Sequence, residues 1–178
     1  MAHNKLFLTL LTNVLISVPF IFSGLKVEAA ESVVLKYGML RQSIPVAELS
    51  TLAETGEPSS ELEFYLGLAK KQPKDLQKLL MKPIKVEGVP LSKFLNSFPG
   101  IFLLDVVGEY LSTPSGRASR ESLRGALVSS ALPDGDIKLI EVLENYPTSE
   151  LYVEGDRLAE IYVNIKGVLD YLPKIQIN

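Results

Sequence analysis

The sequence predicts a mainly α fold with a small β component, a single compact helical domain that carries a β-hairpin at its amino-terminal end. Three observations predict it. Apolar residues recur at helical spacing through most of the chain after residue 45, and proline, glycine and serine punctuate those runs at helix-length intervals. The strand formers Val33, Val34, Leu35 and Tyr37 gather in one short stretch ahead of Gly38.

Ser32 to Tyr37 reads as a strand, because Val33, Val34, Leu35 and Tyr37 are strand formers bounded by Gly38. Arg41 to Val46 is expected to return beside it, with Gly38, Met39 and Leu40 as the hairpin loop. From Val46 to Thr55 the positions Leu49, Leu52 and Ala53 have helical spacing, and Gly56 stands where a left-handed stop residue belongs. Ser60 to Glu63 has the capping-box pattern, so a helix is expected to start at Ser60 and to line up Leu62, Tyr65, Leu66 and Ala69. Pro73 opens a short helix in which Leu76, Leu79 and Leu80 are expected to point one way, and Pro83 closes it.

Ile84 to Val86 is a brief extended piece, and Pro90 opens a turn with Leu91, Phe94 and Leu95. Ile101 to Leu111, after Pro99, is the most apolar segment and is expected to be the central buried helix. Ser112 to Gly116 is a loop by composition. Leu123, Ala126, Leu127, Ser130 and Ala131 make the next stripe, and Asp136 is expected to cap a short helix holding Ile140 and Leu143. Leu151 and Val153 alternate as a strand, and Asp156 to Leu172 reads as a last helix.

The start of the chain reads as an export signal. Lys5 precedes an apolar run from Leu6 to Leu25, and Val27-Glu28-Ala29 offers the small residues that signal peptidase needs, so cleavage is expected after Ala29. The expected divisions are a signal peptide over 1–29 and one helical domain over 30–178, which is 149 residues and long enough for one core. An uncleaved run would instead anchor the chain, since about twenty apolar residues span a bilayer. The mature part carries 16 basic and 20 acidic residues, net −4, which gives no electrostatic reason to expect nucleic acid or an anionic membrane.

The chain has no cysteine and no tryptophan, and its one histidine, His3, lies in the signal. Thiol and imidazole chemistry are thereby removed from the mature part. No glycine is followed two residues later by serine, so no G-x-S-x-G elbow exists, and the only Ser-x-x-Lys, Ser23 to Lys26, is in the signal. Glu61 and Glu63 are a carboxylate pair best explained by the positive end of a helix. Asp134 and Asp136 resemble the opening of a calcium loop, but Lys138 stands where a ligand is needed. Thr113 to Arg117, with Arg120 and Arg124 beyond, is a basic loop that offers an anion its amides; a solvated basic face explains it better. No residue is assigned a catalytic, cofactor-binding or metal-ligating role, and no cofactor is expected.

Val34-Leu35-Lys36-Tyr37-Gly38, Ser43-Ile44-Pro45-Val46-Ala47-Glu48-Leu49, Ala53-Glu54-Thr55-Gly56-Glu57 and Leu62 with Phe64-Tyr65-Leu66 form a distinctive series. Together with Ser92 to Asn96, Thr113 to Gly116 and Pro147-Thr148, it resembles the amino-terminal domain of unknown function found ahead of an α/β-hydrolase domain in exported cyanobacterial-type proteins. In the longer relatives a lipase- or esterase-like domain follows with the elbow and histidine. The resemblance therefore implies a hydrolase association but supplies no catalytic residue in this sequence.

The expected function is that of an exported, periplasmic or secreted, non-catalytic module that binds a protein partner or an apolar ligand. A separately encoded hydrolase or an envelope protein are the candidate partners, nucleic acid is not one, and a membrane enters only through an uncleaved signal. Ile101 to Leu111 with Phe94, Phe98 and Tyr110 supplies apolar material for a ligand between helices. The alternative is part of a lipase/esterase-like α/β hydrolase whose catalytic residues lie on another chain.

Overall fold

The amino-terminal hairpin forms as the run of strand formers and Gly38 predict. In the computed structural model, which describes residues 29–157, β1 (Ser32–Tyr37) pairs antiparallel with β2 (Leu40–Pro45) through register pairs such as Val33 with Ile44. The loop is only Gly38 and Met39, and Gly38 takes φ +56°, a conformation that costs glycine nothing. The expected 1–29 signal and nearly all of the expected 156–172 helix lie outside the described residues.

Seven helices follow in chain order among the described residues: α1 (Val46–Thr55), α2 (Ser60–Leu68), α3 (Pro73–Met81), α4 (Gly88–Leu95), α5 (Phe98–Gly108), α6 (Ser119–Ala131) and α7 (Leu139–Glu144). Four short strands interleave with them: β3 (Ile84–Lys85), β4 (Leu111–Ser112), β5 (Asp136–Ile137) and β6 (Glu150–Glu154). The expected class, mainly α with a small β component, is the observed one.

The strands make two sheets. One has the order β2-β1-β6-β4, with β6 parallel to β1 and antiparallel to β4; the other is the antiparallel pair β3-β5. Leu151 and Val153 of β6 point inward, as their alternation predicts. Val33 and Val46 join Leu52, Leu62, Leu80, Leu95, Leu104, Ala126 and Tyr146 in one continuous core. Burying each of these valines and leucines stabilises the fold by roughly 1.5–3 kcal/mol, which is what holds seven short helices together.

Five local expectations are corrected. The cap of α2 is Ser59, one residue earlier than expected, and its hydroxyl accepts from Leu62 N at 3.1 Å. The same hydroxyl donates to Glu48 on α1, so choosing Ser59 also ties two helices together. On α3 only Leu80 is fully buried, with Leu76 half-buried, while Leu79 faces solvent; Gln77 takes the inner position instead and donates to Ala53 O. Asp136 does not cap α7. It lies in β5 opposite Lys85, and Glu141 accepts from Lys138 N at 2.9 Å to close the start of α7.

Leu111 and Ser112 are the fourth correction: they leave helix and loop to pair with Val153 and Tyr152 of β6. The fifth is the helix expected to be central and buried. α5 starts at Phe98 and ends at Gly108, and only Gly100 and Leu104 of it are buried.

Candidate functional site

Asp134 and Asp136, which the sequence offers as the opening of a calcium loop, are joined by Glu141, but around a cation of the chain's own. Asp134, Asp136 and Glu141 place carboxylate oxygens within 4.8 Å of one another, the spacing of a metal cage. Lys138 Nζ lies 3.9 Å from Asp134, 3.4 Å from Asp136 and 2.7 Å from Glu141, so an ammonium sits where a metal would. Lys85 adds a second contact to Asp136 at 3.4 Å across the β3-β5 pair.

The protonation states follow from this geometry. Burial alone would raise Asp136, but hydrogen bonds and charge from Lys138 and Lys85 outweigh it and hold the carboxyl below its ordinary value. The hydrogen bond to Glu141 raises Lys138, against a smaller opposing effect of burial. Both shifts move away from neutrality. A general acid or base needs the opposite, a proton that leaves or arrives near working pH. The cluster is suited to pinning β5 and the start of α7, and its centre, Lys138, is legible in sequence only as the i, i+3 partner of Glu141.

The basic loop is likewise closed on itself. Thr113 is buried, its hydroxyl donates to Arg117 O at 2.6 Å, Gly116 N donates to Thr113 O, and Arg117 N donates to Ser115 Oγ. The amides of Thr113, Gly116 and Arg117 are therefore occupied. Arg120 pairs with Asp105 at 2.6 Å, and the Nε of Arg124 is enclosed without a partner among the described residues. Glu61 and Glu63 lie in the first turn of α2, where acids favour the helix dipole, and Glu61 accepts from the Tyr65 hydroxyl.

What remains is an apolar surface. Phe98 is 85 % exposed and Phe102 is 53 % exposed, one turn apart on α5. Tyr110, grouped with them in the sequence reading, is instead buried, and its ring carries Arg157 at 4.5 Å; Phe94 is half-buried. Phe94, Phe98 and Tyr110 thus differ in exposure, half-buried, exposed and buried in turn.

The local backbone explains why the phenylalanines face out. Ser97 caps α5 by accepting from Gly100 N, and it donates to Phe94 O at 2.6 Å, folding α4 and α5 into a corner of 83°. At that corner Gly100 is pressed against α4: a Cβ there would stand 2.0 Å from Phe94 O. The side of α5 that carries Gly100 and Leu104 is spent on this contact, which leaves Phe98 and Phe102 on the other.

A family model described as an alpha/beta hydrolase of unknown function (DUF1400) matches residues 29–154, most of the 178-residue chain. The chain belongs to this family. No curated protein and no solved structure matches it. In this member of the alpha/beta hydrolase family of unknown function, the matched residues contain neither histidine nor cysteine, and their four-stranded sheet has one parallel pair.

Proposed function

We propose that the domain is an exported, non-catalytic binding module of the α/β-hydrolase family, working in a periplasmic or extracellular space. The apolar run from Leu6 to Leu25 ahead of Val27-Glu28-Ala29 supports export, and the resemblance to a domain that precedes a hydrolase supports service to such an enzyme. The observation that carries the reading is the outward face of α5. Two large aromatic side chains are held in water on a helix whose other face is locked, while the cluster with catalytic-looking residues is neutralised from within.

Ester hydrolysis tests the non-catalytic part. The purified, repurified chain is expected to turn over p-nitrophenyl butyrate no faster than buffer. Turnover that survives repurification and disappears on a substitution within residues 30–157 contradicts the reading.

A further inference from the structure

Charge is partitioned along the described residues. Residues 64–102 carry seven lysines, no arginine and only two acids, Asp75 and Glu87, for a net of +5. The other described residues carry seven basic and sixteen acidic side chains, a net of −9. The same basic stretch holds most of the large apolar side chains exposed among the described residues. α2 exposes Phe64 and Leu68, β3 exposes Ile84, α4 exposes Val89, and α5 exposes Phe98 and Phe102. Between α2 and β3 in the chain, α3 exposes Lys74 and Lys78 one turn apart, and Lys82 follows just past its end; all three are exposed.

We infer that this stretch docks the domain on an anionic lipid surface, with Phe98 and Phe102 seated among the headgroups and the lysines at the level of the lipid phosphates. The inference rests on the reading of the α5 face as a binding face and names its occupant. Composition chooses lipid over protein. Protein interfaces are enriched in arginine and tyrosine and depleted in lysine, whereas every cation of this stretch is lysine and every exposed aromatic is phenylalanine. Lysine is a compact point charge that suits a diffuse anionic plane, and its long stem lets the ammonium reach the interface beside buried apolar groups. Lysine with phenylalanine and leucine is the composition of elements that lie in the membrane interface.

Depth follows as well. The seating inferred is shallow: among the described residues no single helix is long and apolar enough to cross a membrane, and the apolar pair α4 and α5 is bent by 83°.

The chain has no tryptophan, so Phe98→Trp in the full chain gives a single-site reporter, and Ser115→Trp in the exposed loop outside the stretch gives its control. Each is titrated with phosphatidylcholine vesicles with and without phosphatidylglycerol. The Phe98→Trp emission is expected to shift to the blue only with phosphatidylglycerol and to return at high salt, while the Ser115→Trp emission stays put. Adding K74E, K78E and K82E to the Phe98→Trp chain is expected to weaken binding at least about 100-fold, at roughly fivefold per lysine, with an unchanged thermal transition showing that the fold is kept. No blue shift, an equal shift with neutral vesicles, an equal shift at Ser115→Trp, or a shift that requires an added protein would each overturn the inference. All four leave the ester-hydrolysis result, and hence the non-catalytic reading, to stand or fall separately.

Discussion

Gly100 and Gly125 make opposite demands of the same substitution. A Cβ on Gly100 would meet the α4 backbone at 2.0 Å from Phe94 O and 2.7 Å from Leu95 Cα, and backbone cannot swing aside as a side chain can. Gly100→Ala is expected to destabilise the domain by at least about 2 kcal/mol, seen as a lower urea midpoint. Nothing lies within 4 Å of a Cβ on Gly125, which is exposed inside α6, so Gly125→Ala is expected to stabilise by about 0.5–1 kcal/mol in the same assay. Neither outcome is legible in sequence, where both are glycines inside apolar helical patterns.

Tyr146 is the other residue whose environment only the fold reveals. Its ring is fully buried, and its hydroxyl has no hydrogen-bond partner among the described residues. Burial pushes the phenol up to about 12; Ser122 eases that shift without reaching hydrogen-bond distance and angle. The folded state therefore holds this proton more tightly than the unfolded chain, whose phenol titrates near its ordinary 10.0. The resulting stability is complete below pH 10 and is lost as pH rises toward 12. Tyr146→Phe is expected to remove that alkaline slope and to be neutral or slightly stabilising at pH 7, measured as the difference between parent and variant across pH 8–12.

At the scale of elements, caps and ion clusters decide where helices begin. Ser59 and Ser60 are adjacent serines, and the spacing to Glu63 favours Ser60 on paper. Glu48 on α1 breaks the tie by accepting from Ser59, a tertiary contact that no local pattern encodes. Ser59→Ala is expected to cost about 1 kcal/mol and Ser60→Ala much less, by chemical denaturation. At α7, Lys138→Gln would leave three carboxylates within 4.8 Å of one another without their central cation. It is expected to lower the melting temperature at pH 7, with a deficit that shrinks as pH falls toward 4 and the carboxylates take up protons.

The elements whose two faces differ in polarity were legible: the β1-β2 hairpin, α1 with its Gly56 stop, the α6 stripe and β6 all lie where their spacing puts them. α5 was not, for a physical reason. Its sequence from Phe98 to Gly108 is apolar on every side but one residue, Asp105, so periodicity cannot say which side is inside. Only the corner with α4 and the close approach at Gly100 settle it, and they turn the expected core helix into a half-exposed one. Two-residue strands such as β4 and β5 fail for a related reason, since two residues carry no period.

For the whole molecule, the net charge of −4 over residues 30–178 averages a basic stretch against an acidic remainder, and the average conceals both. The absence of histidine and cysteine after residue 3 was by contrast fully visible, and it bears on the central claim that this domain works by binding and holds no activated nucleophile. The most direct measurement is the intact mass of the chain after exposure to a fluorophosphonate, which bonds irreversibly to activated serines and spares ordinary ones. The account predicts an unchanged mass. A stoichiometric adduct on one serine within residues 30–157, lost when the chain is unfolded first, would contradict it.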